Sequence, residues 1–442
     1  MPTTTESAIS TDLDLAWVRS QFPSLSQTVN GHPAAFLDGP GGTQAPQRVI
    51  DAISDYLRRD NANTGGAYAT SRNTDAMIAG ARAAMADLLH CAADEVAFGQ
   101  NMTTLTYSIS RSIGRELGPG DEIVVTRLDH DANCSPWLQM AEDRGVTVRW
   151  AEIHDEDCTL DMGDLASKIN SKTKLVAAGY ASNAVGTINP VKEIVRLAHA
   201  AGALAYIDAV HYGPHGLIDV AALDCDFLVC STYKFFGPHL GLLFGKREHL
   251  LRFKPYKVRP NTNAIPNCWE WGTLNHECIA GITACVEYIA DIGRRAADTC
   301  GDGRLGRPSS EARPAAAISR RAAIEAAYEV IHEHERGLLD RIITGLKKIP
   351  GLKIYGISDP ARFDERCATL AVRIDGYTPL ELAGKLGERG FFTWDGNYYA
   401  LNLTEHLDVE KSGGFLRIGL VHYNTAEEVD RLLAALKEIV TG

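Results

Sequence analysis

Residues 203–234 read ALAYIDAVHYGPHGLIDVAALDCDFLVCSTYK. Two apolar runs stand in this stretch, ALAYI (203–207) and DFLVCST (226–232). The first is followed at once by Asp208-Ala209-Val210-His211, the second by Tyr233-Lys234. The separation of 26 positions between Asp208 and Lys234 leaves room for one helix and one strand. Both side chains then emerge at the same edge of a parallel sheet, where ligands collect in open α/β folds.

The pattern continues outward. Upstream lie VAFG (96–99), EIVVT (122–126), VTVRW (146–150) and KLVAAGY (174–180), and downstream GLLFG (241–245), with helical spacing in most of the gaps. Strands alternating with helices make βαβ units. The chain is therefore read as α/β: a large domain over 36–292 with a mainly parallel seven-stranded sheet, and a smaller C-terminal α+β domain over 317–442. Residues 1–35 read as a partly helical N-terminal segment. Residues 293–316, GRRAADTCGDGRLGRPSSEARPAA, are rich in Gly, Arg, Ser and Pro and read as an exposed, flexible insertion. Helix starts are expected at Thr43 with Pro46, at Asn73 or Thr74, at Thr378 with Glu381, and at Thr425 with Glu428.

Composition narrows the function classes. The 442 residues are 45% hydrophobic and 23% charged, with a net charge of −12. That acidic balance gives no general footprint for nucleic acid or an anionic membrane. No apolar run reaches the ~20 residues of a membrane helix. The start, MPTTTESAISTDLD, lacks the basic and apolar parts of a secretory signal. Ten cysteines form no C-x-x-C pair, which fits a reducing cytoplasm and gives no metal site.

Residues just after each strand run carry the chemistry. They are Thr103 and Thr104 opening a helix, His130 in DHDAN, Asn183 in SNAVGT, Asp208, His211, Ser231, Tyr233 and Lys234. Taken singly, each has a plain structural reading as a cap, a turn or a solvated side chain. As an ordered set they suit pyridoxal 5′-phosphate (PLP). A helix start with hydroxyls holds a phosphate, a lysine bonds an aldehyde, a carboxylate keeps a pyridine nitrogen protonated, and an imidazole stacks on the ring.

The motifs NMTT (101–104), DHDAN (129–133), SNAVGT (182–187), IDAVH (207–211), STYKFFGP (231–238), EWGT (270–273) and LRIGLVHYNT (416–425) together resemble the class V group of PLP-dependent enzymes of fold type I, nearest the cysteine desulfurases. The resemblance implies that Lys234 holds PLP, Asp208 pairs with the pyridine nitrogen and His130 stacks on the ring. It further implies that Asn183 contacts the ring hydroxyl, with His211 nearby where desulfurases usually have Gln. Thr104 and Ser231 bind phosphate; Tyr233 replaces the usual His. Thr273 reaches the phosphate of the partner subunit in a homodimer, and Arg417 clamps the carboxylate of a small amino-acid substrate.

One departure bears on the reaction. Desulfurases carry a nucleophilic cysteine on a mobile loop, and the matching stretch here, Thr393-Trp394-Asp395-Gly396-Asn397-Tyr398-Tyr399-Ala400, has none. Tyr399 is the nearest match, and the last cysteine of the chain is Cys367. Cys134 and Cys268 lie near motif segments as candidate substitutes. The reading is therefore a C–S lyase acting by β-elimination on cysteine or a derivative. Epimerisation, as in isopenicillin N epimerase-like relatives, class V transamination and a non-catalytic binding role are its alternatives.

Overall fold

The computed structural model describes residues 13–301 and 318–442. Seven strands form the central sheet: β1 (Val96–Gly99), β2 (Glu122–Thr126), β3 (Thr147–Ala151), β4 (Thr173–Gly179), β5 (Leu204–Asp208), β6 (Phe227–Ser231) and β7 (Gly241–Gly245). Their order is β1-β7-β6-β5-β4-β2-β3, and β7 alone runs against its neighbours. Each coincides with a predicted run to within a residue at either end. Side chains alternate between faces: Val124, Val176, Ile207 and Leu228 enter one core, while Ile123, Leu175, Tyr206 and Phe227 enter another. Helices cover both faces of the inner strands, which is why those are largely apolar, whereas the edge strand β3 leaves Thr147 and Arg149 exposed.

Four antiparallel strands build the second sheet: β8 (Leu352–Tyr355), β9 (Thr369–Ile374), β10 (Trp394–Gly396) and β11 (Phe415–Gly419), in the order β8-β9-β11-β10. Capping boxes open the helices Pro379–Gly387 and Ala426–Thr441 at Thr378 and Thr425, as the sequence predicts.

Two predicted helix starts are corrected. The helix expected at Asn73 or Thr74 begins at Ala69, and Thr74 is buried inside it, its hydroxyl bonded to the Asp60, Ala62 and Thr70 carbonyls. Thr43 is not a cap of the helix Gln47–Arg59. Its hydroxyl instead donates to the Tyr233 carbonyl at 3.1 Å and accepts from the Phe236 N–H at 2.7 Å, pinning the glycine loop to the lysine turn.

Chain connectivity blurs the domain limits. Val18 and Phe22 of the N-terminal segment pack in the large core, while Ala35 and Leu37 pack in the small one. The helix Arg320–Leu346 serves both, with Ile324 and Ile331 in the large core and Leu339 and Ile343 in the small. The helix His276–Gly301 runs through residues 293–301, where composition alone suggested an irregular insertion. The rest of that insertion, 302–316, and residues 1–12 lie outside the described residues.

Candidate active site

Strand ends and the small-domain loop enclose a cavity of about 680 Å³. Thr103, His130, Asn183, Asp208, His211, Ser231, Tyr233, Lys234 and Arg417 all line it. Two predicted residues do not. Thr104 is exposed and turned into its own helix start, donating its hydroxyl to the Asn101 carbonyl at 2.9 Å in a capping box with Asn101. A hydroxyl used to cap is not free for a ligand. Thr273 stands in a separate groove with Val258, Pro260, Glu270 and Gly272.

Lys234 ends the tight turn Thr232–Lys234 that follows β6. Its ammonium donates to the Pro40 carbonyl and lies 4.7 Å from the Tyr233 ring centre. Burial and the nearby Arg417 charge pull its pKa down to about 8, against the opposing pull of Asp38 and Asp208. Asp208, at the end of β5, accepts from the Val210 N–H at 2.9 Å. Burial raises its pKa to about 6. Asp129 is a second buried carboxylate, accepting from the Gly179 N–H at 2.7 Å and from Asn133 Nδ2 at 2.9 Å. Burial, with the Asp208 charge adding to it, raises Asp129 to about 7. The cavity thus holds two buried carboxylates of raised pKa beside the Lys234 ammonium.

His130 accepts the Ala132 N–H on Nδ1 at 3.0 Å, so its proton sits on Nε2. Burial, Lys234 and Arg417 lower its pKa to about 4, leaving a neutral, flat ring. One face stacks on Tyr399, with ring centres 5.4 Å apart and planes 25° from parallel. Ser231 Oγ accepts the Met102 N–H at 3.0 Å, and the Tyr233 ring stacks on His239 at 4.7 Å. Thr103, Ser231 and Tyr233 all line the cavity, and Ser231 Oγ stands at the first N–H of the helix Met102–Gly114.

Arg417, on β11, donates from Nη2 to Asp38 Oδ1 at 2.8 Å and from Nη1 to the Asn183 carbonyl at 3.0 Å. Its Nε is buried without a partner, as is Asn183 Oδ1. The guanidinium carbon also sits 4.2 Å from the Tyr398 ring centre. Asp38 reaches this position because Gly41 lacks a side chain; a Cβ there would lie 1.9 Å from Asp38 Oδ2.

The loop where desulfurases carry their thiol is tightly held. Tyr398 and Tyr399 both take left-handed backbone, φ +54° and +61°. For a bulky residue this costs about 1–2 kcal/mol each. Hydrogen bonds impose it: Tyr398 O accepts from Asn183 Nδ2 at 2.8 Å, Tyr399 O from the Asp131 N–H at 2.7 Å, and Tyr398 Oη donates to the Phe415 carbonyl. Among the described residues, no cysteine lines the cavity. Cys134 is buried and faces the Thr126 carbonyl at 3.8 Å, Cys268 is 4% exposed, and burial raises both thiols.

Sequence reasoning gave no role to Asp38, Asp129, His239 or Tyr398, although all line the cavity or bond to what lines it. Asp129 had a signal, since it ends a strand-end loop beside His130. Asp38 had none, because its partner lies 379 residues away.

Comparison with known proteins agrees with this geometry. Residues 35–301 and 312–432 match the family described as Aminotransferase class-V. A cysteine desulfurase of Serratia proteamaculans is 33% identical over 438 residues, spanning 96% of this chain and 97% of that protein. One from Pectobacterium carotovorum is 30% identical over 438 residues, with the same coverage. The apo structure of a cysteine desulfurase from Thermococcus onnurineus matches with a TM-score of 0.83 at 23% identity, covering 98% of this chain and 100% of that one. The S-sulfonic acid form of the Escherichia coli cysteine desulfurase CsdA gives 0.79 at 24% identity, covering 97% and 99%. At those identities the structural likeness establishes the fold.

Proposed function

Because the chain belongs to the class V aminotransferase family, we propose that it is a PLP-dependent, cysteine desulfurase-like C–S lyase that acts by β-elimination. The observation that carries the reading is the junction of Lys234, Asp208 and Arg417 in a cavity with no lining cysteine. The donor set fits the cofactor. Asp208 is a buried carboxylate suited to a pyridinium, Lys234 an amine of lowered pKa, and Asn183 Oδ1 a buried acceptor still lacking a donor. Thr103, Ser231 and Tyr233 would hold the phosphate. PLP supplies, when bound, an electron sink that makes a substrate's α-proton acidic.

This chain's residues supply the rest. Lys234 Nζ takes the α-proton, helped by a pKa already near neutrality. His130 and Tyr399 stack to form one side of the cavity, with Tyr399 facing solvent on its outer side. Arg417 orients the substrate carboxylate. With cysteine the balance is cysteine plus water giving pyruvate, ammonia and hydrogen sulfide; sulfur leaves as a small molecule, since no thiol is in place to receive it.

The dimer belongs to the same reading. Thr273 lies in a groove outside this chain's own cavity, and Val258 and the adjoining Trp271 are 65% and 47% exposed there. A partner subunit would cover them and receive Thr273 at its phosphate site. Among the described residues no helix is long and apolar enough to cross a membrane; a cytoplasmic enzyme is in keeping with the chain's free cysteines. The test is incubation with cysteine, cystine and cysteine-conjugate sulfoxides, with pyruvate, alanine and sulfide measured. Pyruvate matching the sulfur released supports elimination. Alanine, with sulfur held on the protein, overturns it.

A further inference from the structure

Where His211 of the Lys234 cavity and His215 of a second cavity stand side by side, three ligand-type side chains meet. His211, His215 and Cys367 are each at most 5% exposed, and the atoms they offer lie within 4.8 Å of one another. The two rings are 5.1 Å apart at 67°. Nε2 of both histidines is buried without a hydrogen-bond partner. Leaving such a group unpaired costs about 1–3 kcal/mol, and here two occur side by side next to a thiol.

Glu335 shows which way His215 faces. Its Oε2 lies 2.7 Å from His215 Nδ1, and both side chains are buried. The carboxylate keeps the proton on Nδ1 and leaves Nε2 as a bare lone pair. A carboxylate behind an imidazole is the usual support of a metal-binding histidine. Among the described residues this is the one such group of three.

We infer that His211, His215 and Cys367 form a His₂Cys site for a thiophilic divalent transition metal, zinc first, with Glu335 as the carboxylate behind His215. Metal–ligand distances of about 2.0–2.3 Å put ligand atoms roughly 3.3–3.6 Å apart in a tetrahedral site, so rotation of the side chains by an ångström or so closes it. Binding makes the Cys367 sulfur–metal bond and sends the thiol proton to solvent. The thiolate and Glu335 then supply two negative charges against the cation. Arg366, next in the chain, is satisfied by the Val185, Ile357 and Thr369 carbonyls; burial and the Glu335 charge raise the metal-free Cys367 thiol, with the Arg366 charge pulling the other way.

Access and a fourth position come from a second cavity. A space of about 1360 Å³ is lined by His215, Glu335 and Cys367 and extends to the exposed Lys192 and Glu193. Water can enter there as the fourth ligand. His211 meanwhile lines the Lys234 cavity. The metal would therefore fix the orientation of a ring in the active-site wall, at the position where the resembling desulfurases have Gln. The site does not depend on the proposed lyase reaction.

The test uses untagged, full-length protein freed of metal with a chelator. Zinc is then titrated against a chromophoric competitor, and cobalt(II) is added in parallel. One metal per chain is expected, with a thiolate-to-cobalt charge-transfer band. Cys367→Ala should abolish the band and weaken zinc binding at least about a hundredfold, and Glu335→Gln should weaken it about tenfold to a hundredfold. Far-UV circular dichroism and thermal melting report whether each variant is folded. Substoichiometric binding by the wild-type chain, a cobalt complex without the thiolate band, or undiminished affinity in folded Cys367→Ala would each overturn the inference.

Discussion

Replacing Asp208 by Asn should stabilise the cofactor-free chain while disabling the enzyme. The side chain is buried, and its carboxyl is raised from 3.8 to about 6, chiefly by burial. An acid whose pKa is higher folded than unfolded favours folding while protonated. That contribution is complete below pH 3.8 and is lost as pH rises through about 6. A shift of this size corresponds to about 3 kcal/mol at pH 8. Asn keeps the shape and still accepts the Val210 N–H, yet it does not ionise. Relative to wild type, the variant's stability should therefore gain about 2–3 kcal/mol between pH 4 and pH 8. Asp129 gives the same sign, its carboxyl being raised to about 7. The assay is urea unfolding of cofactor-stripped protein at both pH values, read beside turnover of the loaded enzyme. Turnover should fall by at least a hundredfold, because the amide cannot hold a pyridinium. A variant whose stability change is the same at pH 4 and pH 8 would refute the reasoning.

Other substitutions separate the remaining roles. Lys234→Ala should leave a chain to which borohydride no longer fixes the cofactor, seen by mass spectrometry of the peptide. Arg417→Lys keeps one charge but cannot serve both Asp38 and the Asn183 carbonyl. Losing about 1.5–3 kcal/mol of charged hydrogen bonding should raise KM roughly tenfold to a hundredfold, with cofactor absorbance unchanged. Thr273→Ala should weaken PLP retention without altering the fold, and sedimentation should show a dimer in both proteins. Cys134 and Cys268 replaced together by serine should leave pyruvate formation intact; loss of sulfur release with the fold preserved would point to one of them as acceptor.

Legibility in the sequence followed the range of the interaction. The inner strands of the large sheet were visible because both their faces are buried, which writes a continuous apolar run; the edge strand β3 was visible instead by alternation, its Thr147 and Arg149 exposed. The site residues after β5 and β6 were visible because a strand end fixes where they emerge. Thr43 misled because a hydroxyl near a helix start looks like a cap, yet its partners are Tyr233 and Phe236, about 190 residues on. Thr104 was assigned a role by motif; in the structure its hydroxyl sits in a local capping box and the residue does not line the cavity. The His211, His215 and Cys367 group was invisible as a cluster, since Cys367 joins it only through the fold.

The tyrosine loop carries the strongest argument about mechanism. A thiol that delivers sulfur must approach a substrate, accept sulfur and withdraw, so its loop has to move. Here the equivalent loop keeps two tyrosines in left-handed backbone, held by bonds from Asn183 and Asp131 in the large domain. Those bonds join the loop to the very segments that carry His130 and Asn183. Strain of this kind persists only where surrounding contacts over-determine the conformation. The loop thereby lines the cavity, stacking Tyr399 on His130 and setting Tyr398 under Arg417, while the outer side of Tyr399 faces solvent. On the proposed reading, a thiol-free loop tied to both site segments suits chemistry that needs a substrate carboxylate held in one orientation, with sulfur departing as a small molecule.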